Sequence, residues 1–302
     1  MERRTFIKQT GIASAVVAGT PSFNLFAETK KSKKITILHT NDVHSHIDPF
    51  SPEDASFPNQ GGVARRLTLI ESIRKENPNT LLLDAGDIFQ GTPYFNFYGG
   101  ELEFKLMSMM QYDAATIGNH DFDNGVNGLA AQMPNASFKM LSSNYDFTNT
   151  VMEGLTKPYE IFIKDGIKIG VFGLGIQLEG LVTPALSKET QYLDPIEIAL
   201  DMTRLLKEEQ QCDLVICLSH LGYNYKYDKI SDLKLAEKTK NIDLIIGGHT
   251  HTFLEKPTII KNAAGLDVIV NQVGWAGINL GRIDFEFDLS GNATATSKTI
   301  TV

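Results

Sequence analysis

Five of the seven histidines in the chain follow a short apolar run in the company of aspartate, asparagine or glycine. They fall in Asp42-Val43-His44, Gly118-Asn119-His120-Asp121, Ser219-His220 and Gly248-His249-Thr250-His251, with Gly86-Asp87 as a histidine-free member of the same set. Carboxylate, amide and imidazole donors without thiolate suit manganese, iron, cobalt or zinc alike. Such donors, presented from five places in the chain, are what a pair of divalent ions requires. Asp42 and His44, spaced i and i+2, are expected to leave a strand on one side and reach a single ion, with His251 as its third ligand. Asn119, His220 and His249 serve the second ion, and Asp87 bridges the two because a carboxylate has two oxygens. Ions about 3.5–4 Å apart can acidify a water to hydroxide and neutralise phosphoryl oxygens, which sets up in-line attack on phosphorus.

His120 directly follows a ligand position, so it is expected at the edge of the site without binding metal. Asp123 lies three residues on, within reach to orient the imidazole and stabilise its charged form, and His120 can then help a leaving oxygen depart. His39 is expected in the core or behind the ligands, and His46 on the surface. The aromatic stretch Phe89, Tyr94, Phe95, Phe97 and Tyr98 is expected to pack beneath its loop. Tyr223, Tyr225 and Tyr227 alternate on a wet surface, close enough to His220 to touch a substrate or partner.

These residues need strand ends to carry them. Apolar runs at Ile35–Leu38, Leu81–Leu83, Ala114–Ile117, Leu214–Leu218 and Ile242–Ile246 have the length of buried strands and alternate with helical stretches, which argues for parallel β-α units. Apolar residues at 63, 67, 70 and 73 predict a helix over Gly62–Lys75. Asp194-Pro195-Ile196-Glu197 begins another, running to about Gln210, with a capping aspartate and proline in the first turn. Pro49–Gln60 reads as an exposed loop. From Ile259 onward the pattern changes to strands and turns, which predicts an antiparallel second sheet. In open α/β sheets, sites form beyond the carboxyl ends of strands, where every one of the motifs falls. Glycines at 86, 118, 247 and 248 are expected to let the backbone turn sharply there.

At 302 residues and 42% hydrophobic content the chain can bury a substantial core, and residues 34–302 read as one domain. Residues 1–27 read as an export signal: Arg3-Arg4 resembles a twin-arginine motif, a mild apolar stretch follows from Gly11 to Ala18, and cleavage is placed near Ala27. That apolar stretch is too short for a stable membrane anchor, which needs about 18 residues. The net charge of −8 makes nucleic-acid binding a poor expectation. Cys212 and Cys217 flank a strand and are expected to remain unbridged.

Taken in order, His39-Thr40-Asn41-Asp42-Val43-His44, Gly86-Asp87-Ile88-Phe89-Gln90-Gly91-Thr92-Pro93, Gly118-Asn119-His120-Asp121-Phe122-Asp123, Ser219-His220-Leu221-Gly222 and Gly247-Gly248-His249-Thr250-His251 resemble the 5'-nucleotidase branch of the calcineurin-like metallophosphoesterases. The resemblance runs from Ile35 to about Asp288. It implies an α/β fold in a four-layer αββα sandwich, two divalent metal ions (zinc, manganese, cobalt or iron) held as assigned above, and a His120–Asp123 catalytic dyad, with Asn119 and His120 contacting the phosphate of a nucleotide. The export signal read in residues 1–27 makes an exported, periplasmic phosphatase the expectation. Family nucleotidases typically continue into a C-terminal domain that recognises the nucleoside. The chain given ends at Val302, so a separately encoded partner is expected to supply recognition, or the domain acts alone on accessible phosphoesters, diesters or pyrophosphates. Asp121 stands where glutamate is frequent in the family.

Overall fold

The structure, a computed structural model, describes residues 32–302; the expected export signal lies outside these residues. The chain first lays down β1 (Lys33–Thr40), α1 (Val63–Glu76), β2 (Thr80–Asp84), the short helices α2 (Pro93–Tyr98) and α3 (Glu101–Met109), β3 (Ala114–Thr116), α4 (Gly125–Gln132) and β4 (Lys139–Leu141). A two-residue strand β5 (Tyr145–Asp146) precedes the hairpin of β6 (Tyr159–Lys164) and β7 (Ile167–Leu174). Then come α5 (Pro184–Ser187), β8 (Gln191–Tyr192), α6 (Pro195–Arg204), β9 (Leu214–Ser219), α7 (Asp232–Lys238) and β10 (Leu244–Gly247). The last four strands are β11 (Thr258–Lys261), β12 (Asp267–Asn271), β13 (Asn279–Phe287) and β14 (Ala293–Thr301).

Two six-stranded sheets result, ordered β14-β13-β1-β2-β3-β4 and β11-β12-β10-β9-β7-β6. Each contains four adjacent parallel strands; β13 and β14 lie together at one edge of the first sheet, and β11 and β6 lie at opposite edges of the second. The late strands therefore correct the expectation of a separate antiparallel sheet. β11 and β12 extend the second sheet, and β13 and β14 extend the first beside β1. Local patterning sets strand identity, whereas the choice of neighbour depends on pairing across more than 200 residues, as between Ile35 and Phe285.

Side-chain alternation explains the layers. Ile35 and Ile37 of β1, Leu81 and Leu83 of β2, Leu214, Ile216 and Leu218 of β9, and Leu244 and Ile246 of β10 meet in one core between the sheets. The intervening residues point outward, as a period of two requires. Leu38 and Leu82 pack under Val63, Ile70 and Ile73 of α1 and Phe104 and Met107 of α3. Val215, Cys217 and Ile245 pack under Ala199 of α6 and Leu235 and Ala236 of α7. Three apolar interfaces separate four layers, so the αββα architecture follows from the burial pattern. Asp194 caps α6 as expected, its carboxylate accepting from the amides of Ile196 at 2.8 Å and Glu197 at 3.1 Å. Cys212 and Cys217 are buried free thiols. No helix among the described residues is long and apolar enough to cross a membrane.

Candidate metal centre

All the predicted ligands lie just beyond strand ends on one edge of the molecule: Asp42 and His44 after β1, Asp87 after β2, Asn119 after β3, His220 after β9, and His249 and His251 after β10. The geometry that brings Asp42 and His44 together differs from the expected one. β1 ends at Thr40, and both residues adopt left-handed backbone conformations, with φ of 49° and 50°. Asp87, His249 and His251 do the same, at 55°, 69° and 49°. Such conformations are costly for residues with a Cβ and persist where surrounding contacts enforce them. Here the enforcement is visible. Asp42 N donates to Gly86 O at 2.9 Å, His44 N to Asp87 O at 3.1 Å and Ser45 N to Ile88 O at 3.0 Å, so the two loops zip together past the strands.

Two clusters of converging ligand atoms result, Asp42–His44–Asp87–His251 and Asp87–His220–His249, and they share Asp87. His44 Nε2 lies 3.0 Å from His251 Nε2, which is 3.4 Å from Asp42 Oδ1. Asp87 Oδ2 is 3.1 Å from His220 Nε2 and 3.7 Å from His44 Nε2, while its Oδ1 accepts the His120 amide at 2.8 Å. One carboxylate oxygen thus faces both clusters and the other braces the backbone. His249 Nδ1 lies 2.8 Å from Asn119 Oδ1. His220 and His44 place their Nδ1 atoms on the carbonyls of Ala85 at 2.7 Å and Phe89 at 3.2 Å, which fixes the tautomer that leaves Nε2 free to coordinate. His220 Nε2 is buried and has no hydrogen-bond partner among the described residues. Imidazole lone pairs and carboxylate oxygens gathered this closely fit divalent cations.

The protonation states of His44, His249 and Asp87 agree with that fit, whereas at His220 burial is outweighed by the Asp87 and Asp42 carboxylates, which raise its pKa to about 10, so a cation there must displace its Nε2 proton. Burial holds the His44 imidazole below its ordinary pKa, and burial together with His220 brings His249 to about 4, so both favour the neutral, coordinating form. Burial works to raise the Asp87 carboxyl, but His220, His44 and His120 outweigh it and hold the group ionised.

Close backbone approach, more than sharp turning, explains the glycines. Of the four singled out, only Gly86 has a positive φ, of 87°. A Cβ on Gly118 would lie 2.1 Å from Asp87 Oδ1, and one on Gly248 would lie 2.8 Å from His220 Nδ1. Asp121 has a role the sequence did not reveal. Its two oxygens accept the amides of Asp87, Ile88, Phe89 and Gly118, clamping the loop after β2 to the loop after β3. Asn41 likewise joins Asp42 Oδ2 to the Gly274 carbonyl, both at 2.6 Å.

At the rim, His120 Nδ1 lies 3.0 Å from Asp123 Oδ2, and this hydrogen bond holds the imidazole pKa above its ordinary value. The His120 side chain is 40% exposed, so it borders the ligand cluster and remains open to a substrate. His39 is fully buried, with Nε2 bonded to Asn271 Nδ2 at 2.9 Å, as a core position should be. His46 is half-buried rather than fully exposed. It stacks on Phe50 at 5.0 Å and meets Trp275 edge-on, and burial takes its pKa down to about 4. Trp275, the only tryptophan, stacks on His251 with the rings 5.7 Å apart and 6° from parallel, a contact no local motif announced. The loop Pro49–Gln60 has no helix or strand, and Phe50 and Phe57 pin it to this aromatic group. Phe89 and Phe95 pack inward as expected, whereas Phe97 and Tyr98 are exposed. The Tyr223 and Tyr225 hydroxyls bond Thr258 and the Leu221 carbonyl, and Tyr227 faces solvent.

A fold of two facing mixed sheets, each built on four parallel strands, with a ligand cluster of this composition at their carboxyl edge, defines a metallophosphoesterase domain. The chain belongs to the calcineurin-like phosphoesterase family, whose sequence pattern matches residues 35–253. It is 35% identical to the 5'-nucleotidase of Rattus norvegicus over 298 residues, spanning 89% of this chain and 49% of that protein. Similarity to the trifunctional nucleotide phosphoesterase protein YfkN of Bacillus subtilis is 36% over 289 residues, 85% of this chain and 18% of that protein. In structure it resembles the 5'-nucleotidase precursor of Thermus thermophilus, with a TM-score of 0.81 at 33% identity over 89% of this chain and 55% of that one. The chain therefore spans about half the length of the nucleotidases it matches.

Proposed function

We propose that this chain hydrolyses phosphoesters of nucleotides with two divalent metal ions. Asp42, His44 and His251 would hold one ion, Asn119, His220 and His249 would hold the other, and Asp87, common to the two clusters, would serve both. The observation that carries this reading is the pair of ligand clusters sharing a single oxygen of Asp87, with the exposed His120–Asp123 pair at their rim. Bound cations of the manganese, iron, cobalt or zinc type would supply water activation and neutralisation of phosphoryl charge.

The chain's own residues do the rest. Asn119 commits Oδ1 toward His249 and keeps its amide N–H groups for a phosphate oxygen. His120, whose protonated form the hydrogen bond to Asp123 favours, donates a hydrogen bond to the transferring group and a proton to the departing alkoxide. Nucleotides are the proposed substrate class because the relatives are named for nucleotide phosphoester hydrolysis. The nucleotidase relatives carry about as much sequence again outside the aligned region, and we place part of nucleoside recognition in a domain of that kind, in this polypeptide or in a partner chain. The trifunctional relative supports testing diesters beside monoesters. Export to the periplasm is proposed from Arg3-Arg4 and the short apolar segment that follows.

The test is phosphate release from a nucleoside monophosphate, an aryl phosphate and an aryl phosphodiester by protein purified metal-free and resupplied with manganese, cobalt or zinc. Turnover of the monoesters is expected with at least one metal, and Asp87→Asn should abolish it. Absence of turnover with every metal contradicts the reading.

A further inference from the structure

Behind the loop that carries Asp42 and His44, three buried polar side chains lack hydrogen-bond partners among the described residues. Arg66 of α1 is 2% exposed, with Nε and Nη1 unpaired, and Glu103 of α3 is 3% exposed, with both carboxylate oxygens unpaired. Ser45, the residue after His44, is fully buried with an unpaired Oγ. All three line one small cavity of about 10 Å³, with Val43, Ile88 and Tyr112 also on its wall. Opposite charges removed from water are tolerated only when each finds a partner. A void of this size with several convergent polar groups admits one water, whose two donors and two acceptors can serve all three side chains.

We infer that Arg66 and Glu103 form a buried charge pair closed by an internal water, which also holds Ser45 Oγ and so positions the Asp42–Ser45 loop for metal. The water accepts from the guanidinium, donates to the carboxylate and exchanges a hydrogen bond with the serine hydroxyl. The loop needs such a hold, because Asp42, His44 and Ser45 all have left-handed φ, at 49°, 50° and 56°. Its main chain is fixed toward β2 by the bonds to Asp87 and Ile88, and Thr92 Oγ1 donates to Ser45 O at 2.7 Å. Ser45 Oγ adds a hold from the opposite side, the layer of α1 and α3. Arg66 also abuts the turn that follows Trp275, since a Cβ on Gly277 would sit 1.8 Å from Nη1. Trp275 stacks on His251. One guanidinium therefore reaches the Ser45 support of Asp42 and His44 through the water on one side and abuts the turn after Trp275 on the other, so Arg66, Glu103 and Ser45 are positioning residues for a single ion.

This inference rests on the metal-binding reading of Asp42, His44 and His251, and its test separates the two. Metal affinity is measured by chelator competition, and the melting temperature is measured on metal-free protein, for Ser45→Ala, Arg66→Leu, Glu103→Leu and the Arg66→Leu/Glu103→Leu double variant. Ser45→Ala is expected to weaken binding of the ion held by Asp42, His44 and His251 about tenfold, with little change in metal-free melting temperature. Each leucine variant alone should lower the melting temperature, because it strands the opposite charge. The double variant should recover most of that loss while metal affinity stays about tenfold weaker. If a leucine variant does not fold, Arg66→Lys and Glu103→Gln replace it in the cycle, and the conservative pair should retain metal affinity closer to wild type. Additive losses in the double variant, or unchanged metal affinity in Ser45→Ala, would overturn the inference. Wild-type protein that binds no metal would overturn the metal reading instead, and the coupling in melting temperature would still decide the charge pair.

Discussion

Among the described residues the Asp123 carboxylate hydrogen-bonds His120 and no other predicted site residue, which makes it the cleanest probe of the rim. Asp123→Asn should lower kcat by about tenfold or more while metal content stays at the wild-type level, because the imidazole loses the carboxylate that orients and charges it. A simultaneous loss of metal would show that Asp123 belongs to the ligand scaffold. His39 offers a separate prediction for stability. Burial holds its pKa at about 3, against 6.5 for an ordinary histidine. In the unfolded chain His39 takes up a proton as pH falls through 6.5, whereas the folded protein resists until about 3. Stability attributable to this group is therefore intact above pH 6.5 and is lost on acidification across that window, by at most about 1.4 kcal/mol per pH unit. His39→Gln keeps an acceptor for Asn271 and should flatten that part of the stability profile in urea unfolding of metal-free protein. An unchanged slope would mean that other groups dominate the acid limb.

Among elements, the loops after β2 and β3 are held at a distance that admits no side chain at Gly118. Gly118→Ala should drive Asp87 from its place and weaken metal binding at least tenfold by chelator competition, although no ligand has been changed. The capping aspartate of α6 is a milder case. Asp194→Ala should cost about 1 kcal/mol in denaturant unfolding and leave activity untouched. Both helices read from the sequence are present, and the five apolar runs became β1, β2, β3, β9 and β10. The hairpin of β6 and β7 escaped notice for reasons visible in its residues. Gly170 and Gly173 interrupt the apolar pattern of β7, because Leu206, Cys212 and the Leu141 carbonyl crowd against those positions. β6 lies at a sheet edge, half-buried, and carries Glu160 and Lys164.

For the molecule as a whole, the donors that converge at one edge and their order along the chain were legible, because each is a particular residue type whatever the fold around it. What holds the ligands was not, since it consists of contacts between distant segments. The left-handed backbone at Asp42, His44, Asp87, His249 and His251, the four amides gathered by Asp121 and the stacking of Trp275 on His251 have no local signature. Two sheets set face to face bring five strand ends to one edge, and the shared Asp87 oxygen makes that edge suited to a pair of ions. Metal stoichiometry tests this most directly. Titration of metal-free protein with manganese or zinc, followed by calorimetry and checked by elemental analysis, should show two ions per chain, with both sites weakened together in Asp87→Asn. Binding of a single ion, or an Asp87→Asn variant that still holds two at wild-type affinity, would contradict it.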